Sequence, residues 1–236
     1  MPGTEGAIAV TSGAPTNRIL HDHAMPGVDV ALTDFPERDA QRAAVQANLD
    51  PALVVKLCVS PPVDGANVKL TLDNAFVGHR FPSGASYDRR VWAEVVAYRD
   101  GNVVFESGVV PEGGSVLALG DSGVWIFRTK LADAIGAEVK FQWQAAVATP
   151  SFVPPAVTND PKSMAYYHAV TKGYLVPLDA DRVTARLLIV PIDPELLADL
   201  VSSGDLDAAV PPRMPRFVLA GSVKEWTKAK GFSCVP

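Results

Sequence analysis

The chain has 236 residues, of which 48% are hydrophobic and 20% charged, enough apolar material for one substantial core or two small ones. Its net charge is −5 and its Lys and Arg are scattered, which excludes nucleic acid as a partner because that binding depends on attraction to phosphate. The 20 Pro and 18 Gly fall in short turn-like clusters without a period, so the composition favours a globular protein built of many short strands.

No apolar run approaches the roughly 20 residues that span a bilayer. The first residues also lack the basic region and the apolar stretch of a secretory signal. We therefore expect no transmembrane segment and no signal peptide in this sequence.

Residues 1–50 are predicted to form an irregular arm followed by one short helix. Residues 1–34 show no sustained hydrophobic period. From residue 36 the pattern becomes helical, because Pro36 suits a first helical position, Glu37 and Asp39 suit the positive end of a helix dipole, and alanines share one face up to residue 48.

Residues 51–192 are predicted to form a β-sandwich domain. Apolar residues alternate in period two, and Asp100-Gly101 between apolar segments is a strong hairpin signal, since both turn positions need positive φ. The predicted strands cover residues 53–60, 67–76, 91–99, 103–105, 124–130, 138–149 and 183–192. Short strands at this spacing favour an antiparallel two-sheet sandwich, immunoglobulin-like in its general architecture.

Two further helices are predicted after the last strand, so that residues 193–236 would form a helical tail packed on the sandwich. The first covers residues 193–201, with Pro194 at its first position, and the second covers residues 222–230. Residues 149–161 are rich in Pro and are predicted to be a long loop, followed by a short helix near residues 162–168.

Histidine is the commonest metal ligand, and the chain has four. His21 and His23 lie on the same side of an extended segment, so this pair could begin a copper or zinc site that His79 or His168 completes. The alternative is a pair of exposed histidines on the arm.

His79 lies in a loop, residues 74–92, between two strongly β-patterned segments. The loop could present the imidazole outward, or the ring could pack against an aromatic residue of the next strand. In the same loop Arg80, Arg89 and Arg90 are candidate ligand contacts. An arginine can grip a carboxylate or a haem propionate with two hydrogen bonds, although arginines at the start of a strand also pair with nearby acidic residues.

Three remaining features leave their roles open. Tyr167 and His168 could line a pocket, or could pack beside the Pro-rich loop. Cys58 and Cys234 are either bridged, which would close a very long loop and pin the tail, or two unpaired thiols. Neither cysteine falls in a Cys-x-x-Cys or Cys-x-x-Cys-His motif, so we expect no haem covalently bound to this chain.

The sequence gives little support to catalysis. Gly120-Asp121-Ser122-Gly123 is similar to the nucleophile motif of trypsin-like proteases, but no histidine lies in a matching context and Asp-Ser-Gly is an ordinary turn. The common nucleotide-binding, hydrolase and metalloprotease motifs are missing from the sequence. A non-catalytic protein is favoured over a small mononuclear metalloenzyme.

Several motifs taken together resemble the C-terminal portion of large exported multihaem c-type cytochromes. They are His21-Asp-His23-Ala-Met-Pro-Gly27, a short helix, Asn74-x-x-x-Gly78-His79-x-Phe81-Pro82-x-Gly84, Arg89-Arg90-Val-Trp92, and the segment from Asp100 to Gly108. The resemblance covers residues 17–110 and continues more weakly to residue 200. This chain departs from that family in having no Cys-x-x-Cys-His motif.

The resemblance implies a periplasmic or extracytoplasmic scaffold and docking domain of, or derived from, an electron-transfer protein. His21 or His23 would donate an axial ligand to a haem outside this chain, and His79 would hold its loop or reach a haem edge. The implied partner is a haem-bearing cytochrome segment or a redox protein. The alternative is a stand-alone ligand- or metal-binding sandwich module, whose ligand would lie between the His79 loop and residues 149–161.

Overall fold

The computed structural model describes residues 3–21, 27–158, 160, 162–166 and 168–236. Within them the helices are α1 (Arg38–Leu49) and α2 (Pro194–Ser203). The strands are β1 (Gly3–Gly6), β2 (Arg18–His21), β3 (Val54–Val63), β4 (Ala66–Asp73), β5 (Arg90–Arg99), β6 (Asn102–Ser107), β7 (Trp125–Phe127), β8 (Thr129–Ala132), β9 (Glu138–Val139), β10 (Val147–Pro150), β11 (Val170–Tyr174), β12 (Arg182–Val190), β13 (Phe217–Val218), β14 (Lys224–Thr227) and β15 (Ser233–Val235). The prediction of a mainly β protein is confirmed.

The described strands form four antiparallel sheets, two of them large. One has the order β11-β4-β3-β15, and the other has the order β13-β12-β5-β6, with β14 added to β12 and β7 added to β5. The smaller sheets are β10-β8-β9 and the hairpin β1-β2. The tail therefore supplies strands to both large sheets.

Side chains of both large sheets share one buried cluster. Alternate residues of β3 and β4, such as Leu57 and Leu70, are fully buried together with Val95 of β5 and Leu187 of β12. The opposite face of β5 and β12 is covered as well, because Trp92 packs there in a second cluster and donates its indole N–H to the Gly108 carbonyl at 2.9 Å. Burial on both faces explains why these two strands are almost continuously apolar.

Three elements, one hairpin and two helices, lie where local sequence signals predicted them. Asp100 and Gly101 both have positive φ, 51° and 80°, and they join β5 to β6 as the predicted hairpin. Helix α1 begins two residues after the predicted start. Helix α2 begins behind Asp193, whose carboxylate accepts a hydrogen bond from the Glu195 amide at 2.8 Å.

The helix predicted over residues 222–230 is wrong. Residues 224–227 are strand β14, which pairs with β12 and buries Trp226, and only a single 3-10 turn, Lys228–Lys230, follows. Pairing with a strand some 40 positions earlier outweighs the local helical preference. The tail after residue 193 is therefore α-helical only in α2, and its other described elements are the strands β13, β14 and β15 and three single 3-10 turns.

Two other predictions need correction. The arm is not wholly irregular, because β1 and β2 form a hairpin. The long strand predicted over residues 138–149 is broken into β9 and β10 by a 3-10 turn, Gln142–Gln144, where Phe141 and Trp143 stack. None of the described helices is both long and apolar enough to cross a membrane.

Candidate functional site

Asn74 organises the loop that carries His79. It is fully buried at the end of β4, where its amide nitrogen donates to the His79 carbonyl at 2.6 Å. Its side-chain oxygen accepts the Val77 amide at 3.2 Å. A buried amide group satisfied in this way fixes the backbone of the turn from residue 74 to residue 79.

The His79 loop is also joined to the Pro-rich loop. The amide of Phe81 donates to the Val153 carbonyl at 3.0 Å, and the amide of Val153 donates to the Phe81 carbonyl at 2.8 Å. Both side chains are buried in the main core. The two loops that were predicted to enclose a ligand site are thus held together by backbone hydrogen bonds.

His79 is exposed, and its ring orientation is defined by one contact. Its Nδ1 lies 2.9 Å from the carbonyl oxygen of Arg80. A carbonyl oxygen can only accept, so Nδ1 carries the proton and Nε2 of the neutral ring keeps its lone pair. Within the described residues Nε2 has no hydrogen-bond partner. Arg80 is exposed beside it.

Arg89 is buried, and its guanidinium is bound by other groups of the protein. It forms a 2.7 Å ion pair with Asp29 and donates to the Ser83 carbonyl. Gly84 lies against the guanidinium, where a β-carbon would collide with it, so the glycine makes this approach possible. Arg89 therefore ties the segment before α1 to the His79 loop.

Arg90 is buried in a second ion pair. Its Nε lies 2.9 Å from an Asp193 carboxylate oxygen, and its Nη1 donates to the Tyr87 carbonyl at 2.7 Å. Burial lowers the pKa of Arg90, and the charge of Asp193 opposes that shift. Because Asp193 also caps α2, this pair joins the start of β5 to the start of the helix.

His168 lies next to the end of β4. Its Nδ1 is 3.2 Å from an Asp73 carboxylate oxygen, and only 9% of its side chain is exposed. The Tyr166 ring centroid is 6.1 Å from the imidazole. His168 thus lies beside an acidic residue, Asp73, which ends β4. Tyr167 lies outside the described residues.

The histidine pair of the arm is only partly described. His21 is the last residue of β2, and His23 lies outside the described residues. Across the part of the chain that the structure describes, no three His, Cys, Asp or Glu side chains come together as a metal site would require.

Cys58 and Cys234 are joined by a disulfide. They are directly opposite residues of β3 and β15, so the bridge fastens the last strand to its neighbour. The sequence left this pairing open.

The Asp121 turn has a structural role. Its carboxylate accepts hydrogen bonds from the Ser107 hydroxyl at 2.8 Å, the Gly108 amide at 2.9 Å and the Gly123 amide at 2.7 Å. Partial burial opposes ionisation, but these hydrogen bonds outweigh it and lower the pKa of Asp121. This carboxylate holds the end of β6.

Sequence reasoning missed two concave sites. The first is a pocket of about 1110 Å³ between α1, α2 and residues 208–216, and it is lined by Arg38, Arg42, Arg213 and Arg216. The second, of about 400 Å³, lies beside Arg90. The available signals were weak: two arginines four positions apart on α1, and two more in a proline-rich stretch of the tail.

The fold resembles one found in a multihaem c-type cytochrome. A solved structure with this similarity is that of a penta-haem cytochrome c552 from Thermochromatium tepidum, with a TM-score of 0.55, 18% sequence identity, and coverage of 77% of this chain. This chain spans only 41% of the length of that protein. No family model matches the sequence, and no curated protein matches it either.

Proposed function

We propose that this chain is a non-catalytic scaffold and docking domain of, or derived from, a multihaem c-type cytochrome, and that it serves electron transfer through haem carried elsewhere. The observation that carries the proposal is the similar fold of the penta-haem cytochrome over 77% of this chain. The motifs around His79 and Arg89 support it independently. In this proposal the two large sheets form the predicted sandwich.

His79 has the chemistry of a haem-contacting ligand. Metal-bound histidines usually donate one ring N–H to an acceptor, which fixes the tautomer and turns the other nitrogen to the metal. His79 donates from Nδ1 to the Arg80 carbonyl, and its exposed Nε2 has no hydrogen-bond partner in the described part of the chain. A haem supplied from elsewhere would provide one-electron chemistry, and His79 would hold and orient it.

The surroundings of His79 favour docking of a flat apolar group. Asn74 and the pairing of Phe81 with Val153 fix the loop, so little conformational entropy is lost when a partner binds. Phe76 in the same loop is 72% exposed and offers an aromatic surface. By the sequence resemblance, His21 or His23 is a further proposed axial ligand of haem. From the spacing of the pair alone, His21 and His23 are also proposed as the beginning of a copper or zinc site.

A periplasmic or extracytoplasmic location belongs to the same proposal. Disulfides persist in oxidising compartments and are rare in the cytosol. The bridge between Cys58 and Cys234 supports an exported protein for that reason. The proposed partner is a haem-bearing cytochrome segment or a redox protein.

The test is to add a c-type haem peptide with one vacant axial position and to monitor binding by the absorbance of the Soret band. We expect conversion to the low-spin spectrum with an affinity above that of free imidazole. His79→Ala, and separately His21→Ala/His23→Ala, identify the ligand, and His168→Ala is the matched control because His168 is already paired with Asp73. Affinity no better than that of imidazole, in every variant, would contradict haem ligation by this chain.

A genomic test separates the two forms of the proposal. Cys-x-x-Cys-His codons upstream in the same reading frame would make this chain a domain of a multihaem protein. An intact frame without them would leave a haem-free relative, for which binding of a separate purified cytochrome by calorimetry is the decisive measurement.

A further inference from the structure

The pocket between α1, α2 and the tail collects positive charge although the protein as a whole is acidic. Its lining includes four arginines, Arg38, Arg42, Arg213 and Arg216, against two acidic residues, Asp39 and Glu112. The full chain has a net charge of −5. A local excess of guanidinium groups in a concave space raises the local concentration of anions.

Arg216 is the most firmly placed of these arginines. Its guanidinium donates to three backbone carbonyls, those of Val110 at 2.8 Å, Pro111 at 2.8 Å and Gly114 at 3.2 Å. It also lies over the Trp92 ring, 5.5 Å from the centroid. All of these partners are neutral, and no carboxylate in the described residues forms an ion pair with it, so its charge remains uncompensated by direct contact.

The other arginines are also weakly neutralised. Arg42 contacts the Phe217 ring at 5.8 Å and has no ion pair in the described part of the chain. Arg38 lies 3.9 Å from Asp39, whose side chain is almost fully exposed. Arg213 has one acidic partner, Asp34, at 3.2 Å. Arg42, which has no carboxylate partner among the described residues, retains donors suited to bidentate binding of an oxyanion, whereas three donors of Arg216 are already used by backbone carbonyls.

The rest of the pocket is largely apolar. Val190 at the end of β12, Ala198 and Val201 of α2, and Met214 line it together with several prolines. A volume of about 1110 Å³ is large enough for a small organic molecule. Apolar walls with a few placed charges fit a ligand that has an apolar body and acidic groups.

We infer that this pocket binds a small organic oxyanion, a carboxylate or phosphate ester on an apolar body, with Arg42 as its principal hydrogen-bonding partner and the positive charge of Arg216 as a further attraction. The inference is independent of the proposed role in electron transfer, because it rests on residues remote in sequence from the His79 loop. The arginines contact the acidic groups, and the α2 side chains contact the body.

Titration calorimetry with three matched probes tests this inference: phthalate, phenyl phosphate and benzyl alcohol. We expect one or both anions to bind and the neutral alcohol to bind at least tenfold more weakly. Binding of phthalate alone identifies carboxylates as the ligand class, binding of phenyl phosphate alone identifies phosphate esters, and binding of both identifies oxyanions in general. Equal binding of the alcohol, or binding of none of the three, overturns the inference.

Arg42→Gln is the informative variant, because Arg42 is exposed and its side chain forms no hydrogen bond or ion pair within the described residues, only a ring contact with Phe217. We expect it to weaken anion binding about tenfold, the effect of one lost charge-assisted contact. Arg18→Gln removes the same charge from an exposed strand residue outside the pocket and is the matched control. Equal affinities for the two variants would show that only net charge matters and would refute the site.

Discussion

Removing the Cys58–Cys234 disulfide should lower the free energy of unfolding substantially. The bridged residues are 176 positions apart, and a closed loop of that length restricts the unfolded chain by an amount that the chain-entropy relation puts at about 5 kcal/mol. Measured losses for native bridges span about 2–5 kcal/mol. The short strand β15, held on β3 by few pairs, gives the tail little independent support.

The assay is urea unfolding of the wild-type protein and of Cys58→Ser/Cys234→Ser, with and without a phosphine reductant. For a slope of about 3 kcal/mol per molar urea, the expected loss moves the midpoint down by about 0.7 to 1.7 M. The double variant is the control, since its midpoint should not respond to reductant. A wild-type midpoint that is unchanged after mass spectrometry has verified complete reduction would refute the reasoning.

Three further substitutions follow from buried contacts. Gly108→Ala should cost roughly 2–4 kcal/mol in chemical denaturation, because the glycine has φ of 74° and a β-carbon would collide with the Ala93 carbonyl; a loss below about 0.5 kcal/mol would contradict this. The lowered pKa of Asp121 contributes stability that is complete above the ordinary value of about 3.9 and is lost as pH falls through the lower folded value. Asp121→Asn should therefore flatten the pH dependence of the thermal midpoint in that acidic range, and an unchanged slope would argue against it. Tyr174→Phe should leave stability equal or raise it by up to about 1 kcal/mol, since the buried hydroxyl has no partner in the described residues; a clear loss in urea unfolding would reveal a missed hydrogen bond.

The elements that could be predicted from sequence are those whose signals lie in consecutive residues. Asp100-Gly101 predicts a turn because both residues tolerate positive φ. Asp193-Pro194 predicts a helix start because the Asp193 carboxylate can accept a hydrogen bond from a free backbone N–H of the first turn, and Pro194 has no backbone N–H that would need a partner. Strand β14 could not be predicted from signals in consecutive residues. Its residues become a strand only because β12 offers an edge and the core accepts Trp226.

In the candidate sites, too, only the features carried by consecutive residues could be predicted from the sequence. The histidines and arginines of residues 74–92 could be singled out by residue type, but their partners could not. Arg90 pairs with an aspartate about a hundred positions later, and Arg89 with one sixty positions earlier. The arginine pocket combines α1 with residues 208–216, and no local pattern connects them.

The orientation of His79 shows why a sequence leaves such a residue ambiguous. Both alternatives, an outward ring and a ring packed on the next strand, fit the flanking glycines equally well. The outcome depends on Asn74 being buried and on Val153, from a loop more than seventy positions away, pairing with Phe81. These contacts fix the backbone so that the Arg80 carbonyl reaches Nδ1. The proposed ligation of haem by Nε2 therefore depends on the folded loop, and Asn74→Ala should weaken haem-peptide binding even though Asn74 is buried.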